Sequence, residues 1–435
     1  MTLRVAVIGS GPAGIYTAEA LVKQSAGQVE VDVIERLPTP YGLVRYGVAP
    51  DHTSIKSIAN YLRRVLELPE VRFLGGLTLG TEVTVGDLLT AYDAVVYATG
   101  AMVDRKLGIP GEDLPGSVAA TDFVNWYCGH PDVDSSRFVL DSPEVAVIGV
   151  GNVAVDVVRI LAKTADELSP TDVPHDVLER LEESQVKAIH MVGRRGPEHA
   201  KFTLKELREL GELTNADVCV RPDEAVVPGD DFPRQIRGNI DVLRSWAARE
   251  PAGRPRRLDV RFWMRPVEIL GSERVEGLRL ERTRLSPEGR VVGTGEFETL
   301  PVGMVLRSVG YQSVPLPGVP FSEETMTVPH EAGRVRDREY VSGWLKRGPT
   351  GVIGTNKSDA AETVRTLLSD LAGRDPARTT DIDTLLAERG VRPVTYEQWL
   401  AIEAAEGELA RSLGRGERVK LAGLEAMLRA YHPGE

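Results

Sequence analysis

The sequence predicts an α/β chain with two separate parallel-sheet domains, the second inserted into the first. Two observations carry this reading. A short apolar run, a glycine-rich turn and a helical run follow one another twice, once at residues 3–24 and again at residues 145–163. Two further apolar runs, at 92–100 and 303–310, end in small residues and are each followed by a Pro/Gly cluster, at 108–112 and 314–320. Clusters of that kind punctuate a chain, so they are read as linkers where it crosses between domains. The expected division is residues 1–105 and 331–435 for a discontinuous first domain and 106–330 for the inserted one.

The first unit begins with Leu3–Ile8, a continuous apolar run of the kind that a parallel strand covered on both faces needs. Gly9-Ser10-Gly11-Pro12-Ala13-Gly14 follows and fits G-x-G-x-x-G. The first glycine, Gly9, permits the tight turn. The second, Gly11, lets the backbone approach a pyrophosphate, and the third, Gly14, lets helix and strand pack closely. A helix expected over 15–24 then points free N–H groups and a partial positive charge at phosphate oxygens. The second strand, Val29–Ile34, ends at Glu35. A carboxylate there accepts hydrogen bonds from ribose hydroxyls and repels a 2′-phosphate. The site therefore suits FAD or NAD rather than NADP.

The second unit repeats the pattern with Gly149-x-Gly151-x-x-Ala154, containing Asn152 and Val153. The acidic residue after its second strand is missing, and Gly193-Arg194-Arg195-Gly196 stands in its place. Two guanidiniums in that position fit a 2′-phosphate through charge-assisted, bidentate hydrogen bonds. Both units are thus read as Rossmann-like nucleotide-binding domains. Residues 164–185 read as an inserted loop and helix, and 221–257 as an excursion with one helix near 235–247. Residues 380–435 read as helical.

Composition is that of an ordinary globular protein, with 42% hydrophobic and 27% charged residues in 435. The net charge of −12 argues against general nucleic-acid binding. No run is long and apolar enough for a membrane span, and the chain enters a strand at once, so neither an anchor nor a leader peptide is expected. The two cysteines, Cys128 and Cys219, form no CxxC pair, zinc site or disulfide framework. A reducing, cytoplasmic setting is the expectation.

Longer blocks narrow the reading. GSGPAG, PTPYGLVRYGVAPDH (38–52), GVGNVAVDVVR, GRRGP, FTLKELREL, GWLKRGPTGVIGTNKSDA and VTYEQWLAIEAAE together resemble the adrenodoxin-reductase-like ferredoxin–NADP+ reductases, in their bacterial, actinobacterial-type form. The similarity extends over essentially the whole chain. It implies FAD in the first domain and NADPH (or NADP+) in the second. It places Ala13, Glu35, Leu43 and Leu79 against FAD, with Trp344 and Gly351-Val352-Ile353 at the flavin end. Arg105, Asn152, Val153, Arg194, Arg195 and Glu206 would contact NADPH, with Gly351 near both cofactors. Ala13 departs from relatives that carry Ser, at the cost of one phosphate hydrogen bond. The reaction implied is hydride transfer from NADPH to FAD, followed by single-electron transfer to a ferredoxin-type iron–sulfur protein.

The same resemblance sets His52 near the reacting rings, with Glu209 as a partner, either as a proton path or as a pair that positions the nicotinamide. Asp359 and Glu362 fit a capping box for a helix starting near 359, whose N-terminus would favour negative charge on the reduced flavin. Arg234, Arg237 and Arg244 recur at three- and seven-residue steps and share one face of a helix. Such a face attracts an acidic ferredoxin despite the chain's own charge; the alternative is a solvated basic surface. A monomer is typical of the family. Rival readings are a flavin-dependent monooxygenase, an electron-delivery subunit of a larger complex and a non-enzymatic nucleotide sensor. A flavin disulfide reductase is disfavoured by the missing CxxC.

Overall fold

The computed structural model describes residues 2–227, 229, 231–416 and 418–431. The chain divides into two compact units. The first comprises Met1–Val103, Tyr311–Gly414 and Gly423–Glu435, and the second Asp104–Gly310 and Arg415–Ala422.

The first unit opens with β1 (Leu3–Ile8), α1 (Pro12–Gln24), β2 (Val29–Ile34), β3 (Val71–Leu74) and β4 (Ala94–Tyr97). The helix starts three residues earlier than the sequence suggests. Pro12 takes the first helical position, where its missing N–H costs nothing and its fixed φ suits the helix. Strands β1, β2, β3 and β4 are parallel, with Val5 opposite both Val31 and Ala94.

The second unit follows with β5 (Ser117–Ala119), β6 (Glu144–Ile148), α2 (Asn152–Ala162), β7 (Ala188–Val192), α3 (Leu204–Gly211), β8 (Ala216–Val220), α4 (Arg234–Ala247), β9 (Arg256–Arg261) and β10 (Met304–Arg307). Its six-stranded sheet runs β5–β10–β6–β7–β9–β8, parallel throughout. A separate antiparallel sheet of Met264–Leu270, Gly277–Leu285 and Val291–Leu300 interrupts the sequence before β10.

The chain then returns to the first unit with β11 (Arg334–Arg336), β12 (Glu339–Val341), α5 (Thr355–Leu371) and α6 (Tyr396–Ser412). The completed sheet is β11–β12–β4–β1–β2–β3, antiparallel only at β11–β12. Both sheets centre on the strand that precedes a glycine turn, the doubly wound arrangement in which ligands bind beyond the carboxyl ends of the strands.

The return crossing lies at 310/311, not near 330. Residues 311–330, assigned above to the inserted domain, belong to the first unit because their apolar side chains are needed there. Val319 and Val328 are buried with Ile8, Ile34 and Tyr97, and Leu316 and Phe321 pack against the same cluster. The stretch after α6 also departs from the expected division. Lys420 Nζ donates to Cys128 O at 3.0 Å, and Arg415 Nε and Nη2 donate to Ser169 O and Val173 O, holding this segment in the second unit.

Candidate functional site: two glycine turns with opposite charge

In the first unit the three glycines have separable roles. Gly9 has φ +106°, and a Cβ on it would lie 2.6 Å from Ala98 O of the strand end next door. A Cβ on Gly14 would lie 1.8 Å from Gly9 O, so only glycine lets α1 rest on the turn. Gly11 is different: a Cβ there would meet nothing nearer than Gly42 Cα at 3.9 Å. The protein itself leaves room at Gly11, and no side chain caps the α1 N-terminus behind it. Free helical N–H groups beside an open glycine suit a pyrophosphate.

Glu35, just past β2, is held against this turn. Its Oε2 accepts from Ser10 N at 3.0 Å and Ser10 Oγ at 2.8 Å, and its Oε1 from Leu37 N at 3.2 Å. Tyr41 N donates to Ser10 O at 3.0 Å, bringing the 41–47 loop and Leu43 to the turn. Tyr41 adopts φ +84°, costly for a bulky residue and tolerated only where surroundings over-determine it. Its ring meets Trp399 of α6 edge-on, with centroids 6.0 Å apart. Arg45 of the same loop is 4% exposed and forms a bidentate pair with the Glu406 carboxylate, 0% exposed on α6. The guanidinium also lies about over the Tyr46 and Trp399 rings, 5.1 and 5.0 Å from their centroids. Burial opposes the charge on Arg45, and Glu406 more than reverses that, raising its pKa above the ordinary value. The C-terminal helix thus fixes the loop that carries Leu43. Sequence reasoning missed this pair. The available signal was Glu406 on the buried stripe Trp399, Ile402, Glu406, Ala410, a charged residue at an apolar position.

Ala13 faces the start of the 344–347 helix: a Cβ on Gly343 would lie 2.4 Å from Ala13 Cβ. Trp344 Nε1 donates to Thr350 O at 3.1 Å, and its ring sits 5.6 Å from Tyr311. Gly351, Val352 and Ile353 lead directly into α5, which begins at Thr355 rather than near Asp359. The expected Asp359/Glu362 capping box is therefore absent. Asp359 sits inside the helix, accepting from Gly343 N at 2.6 Å and pairing with Lys346 and Arg347. Glu362 pairs with Lys346 at 2.6 Å. The helix N-terminus consequently lies closer to Gly351–Ile353 than expected, and the Val352 side chain is 70% exposed. Leu79 lies in the apolar cluster with Ile8 and Ile34. His52 is buried at the N-terminus of the short helix Thr53–Lys56.

In the second unit Gly149 has φ +137°, and a Cβ would lie 2.1 Å from Ser308 O at the end of β10. Arg105 N donates to Gly310 O two residues further on, and the Arg105 side chain is exposed. Gly151 again faces open space, and α2 again has no side-chain cap. Asn152 Oδ1 accepts from Thr203 N at 2.9 Å, so its side chain braces a neighbouring loop. Val153 is half-buried in the first turn of α2. Ala154 is fully buried.

After β7 the charge is reversed relative to the first unit. Arg194 and Arg195 are both exposed, and neither guanidinium pairs with a carboxylate among the described residues. Their backbone is fixed instead: Thr283 Oγ1 donates to Arg194 O at 2.9 Å and Trp263 N to Arg195 O at 3.2 Å. Glu206 and Glu209 lie on α3, where Arg159 of α2 reaches Glu209 at 2.6 Å and Glu206 at 3.8 Å.

The family model described as pyridine nucleotide-disulphide oxidoreductase matches residues 3–211. NADPH-ferredoxin reductase FprA of Mycobacterium tuberculosis is 44% identical over 98% of both chains. Human mitochondrial NADPH:adrenodoxin oxidoreductase is 41% identical, covering 98% of this chain and 92% of that one. The chain belongs to this reductase family. The solved structure of Mycobacterium tuberculosis FprA in complex with NADPH matches with a TM-score of 0.94, covering 99% of this chain and 100% of that one. Within the family fold, the first unit is the discontinuous FAD-binding domain and the second the inserted NADP-binding domain.

Proposed function

We propose that the chain is an NADPH:ferredoxin oxidoreductase, with FAD at the Gly9–Gly14 turn and NADPH at the Gly149–Ala154 turn. Bound FAD supplies the conversion between a two-electron donor and single-electron steps. The reading is carried by the contrast between the two strand ends. Glu35 offers a carboxylate beside the first turn, and Arg194 and Arg195 offer guanidiniums after the second that pair with no carboxylate among the described residues. One site therefore takes a nucleotide with free ribose hydroxyls and the other a 2′-phosphorylated one.

Gly11 and Gly151 admit the two pyrophosphates, and the N-termini of α1 and α2 supply N–H donors to them. Ala13, Leu43, Leu79, Trp344 and Gly351–Ile353 line the FAD site. The N-terminus of α5 favours negative charge near Gly351–Ile353. Arg105, Asn152, Val153 and Glu206 orient NADPH, with Gly351 touching both cofactors. His52 and Glu209 modulate the reaction by holding or moving a proton. Arg234, Arg237 and Arg244 are all exposed on α4 and form a docking face for an acidic iron–sulfur protein. The protein acts as a monomer in the cytoplasm; among the described residues no helix is long and apolar enough to cross a membrane.

Anaerobic titration tests the reading. The purified protein should be yellow, bleach with NADPH and regain colour when an oxidised ferredoxin is added. Bleaching that ferredoxin does not reverse, but oxygen and a hydroxylatable substrate do, would move the chain to the monooxygenases.

A further inference from the structure

The loop that follows the arginine pair comes back to the second glycine turn and places a third cation there. Lys201 N donates to Val150 O at 2.8 Å, between the two glycines of the turn. A Cβ on Gly151 would have Lys201 Cβ as its nearest neighbour, at 3.8 Å. The lysine is therefore the side chain that stands beside the space Gly151 leaves open. Its position is fixed from both sides. Thr203 N donates to Asn152 Oδ1 at 2.9 Å, and Phe202, buried next to Lys201, has its carbonyl bonded by Asn239 Nδ2 at 3.1 Å. Lys201 itself is exposed, and its ammonium pairs with no carboxylate among the described residues. The carboxylate of the same loop, Glu198, faces His199 Nδ1 at 3.2 Å instead.

We infer that Lys201 is a pyrophosphate-binding residue of the second nucleotide site, working with the α2 N-terminus and separately from the 2′-phosphate pair Arg194 and Arg195. The inference rests on the NADPH reading of that site. Its physical basis is that the open side of Gly151 is where a pyrophosphate comes closest to the backbone. An ammonium on a flexible stem, anchored at that edge, reaches phosphate oxygens as a point charge without a fixed fork geometry. The single connection 193–203 would thus read both ends of the nucleotide's phosphate pattern: residues 194–195 the 2′-phosphate, residue 201 the bridge. The contact is indifferent to the 2′-phosphate, so it supports NADP+ and NAD+ alike.

The test is calorimetric titration of the FAD-loaded protein with NADP+ and with NAD+, for the parent chain, Lys201→Met, Lys201→Arg and Arg194→Ala/Arg195→Ala. Lys201→Met should weaken both nucleotides by a similar factor, on the order of tenfold for one charge-assisted contact. Lys201→Arg should recover most of it, and rising salt should shrink the gap between parent and variant. The spectrum and thermal stability of the flavoprotein should not change, which separates a lost contact from a misfolded loop. Unchanged affinity for both nucleotides overturns the inference. A loss confined to NADP+ also overturns it, because Lys201 would then read the 2′-phosphate. Failure of the underlying reading looks different: the parent chain would bind NADP+ no better than NAD+.

Discussion

The Arg45–Glu406 pair gives the sharpest test of how the FAD domain is held. Glu406→Gln keeps the side chain's shape and removes the charge that faces both Nη atoms of Arg45. Because these side chains are 4% and 0% exposed, water cannot take over that role. Breaking one side of so buried a pair costs about 3–5 kcal/mol. For a domain of this size each kcal/mol lowers the midpoint by roughly 2–4 °C, so a drop of about 6–20 °C is expected. Flavin fluorescence on heating reads it directly, since the pair anchors the loop carrying Leu43. The double variant Arg45→Met/Glu406→Leu should lose much less than Glu406→Gln, because a buried pair replaced by apolar groups is often close to neutral. A Glu406→Gln midpoint within about 1 °C of the parent, or a double variant worse than the single, would refute the reasoning.

Other expectations follow from the same geometry. Arg194→Ala with Arg195→Ala should raise the dissociation constant for NADPH far more than for NADH, each lost contact being worth roughly 1.5–3 kcal/mol; equal losses would sink the 2′-phosphate assignment. Gly14→Ala should destabilise the FAD domain, its Cβ falling 1.8 Å from Gly9 O, whereas Gly11→Ala should leave apoprotein stability nearly unchanged and weaken FAD retention. Chemical denaturation with and without added FAD separates the two. The Arg389 guanidinium beside Asp87 holds this carboxylate down to about 2. A depressed carboxylate stabilises above its unfolded value, about 3.9, and that contribution is lost as pH falls through about 2. The stability gap between the parent and Asp87→Asn should therefore close between about pH 4 and pH 2; a gap independent of pH there would show that the pair contributes nothing through charge.

What the sequence discloses is what local sterics and charge decide. Gly9 and Gly149 occupy turns that other residues cannot, and the charge contrast between Glu35 and Arg194–Arg195 is written beside each strand end. Both nucleotide units are legible for that reason. The second domain crossing was less so. A Pro/Gly-rich stretch marks a bend but does not say which core claims its apolar residues, and Val319 and Val328 belong to the first. Asp359 had the local pattern of a cap, yet Gly343, Lys346 and Arg347 engage it more than ten residues away in sequence. The Arg45–Glu406 pair spans 361 positions, and the return of Arg415 and Lys420 to the second unit spans more than 240. No local rule reports contacts at such range; only the charged residue on a buried stripe of α6 hints at one.

The most direct test of the whole account is ferredoxin-dependent reduction of cytochrome c by the purified flavoprotein, run with NADPH and with NADH. The account requires a rate that rises with ferredoxin, is much faster with NADPH and, if the docking face proposed on α4 is used, falls as salt is added. A flavin that bleaches with NADPH while cytochrome c reduction stays independent of every ferredoxin supplied would contradict it.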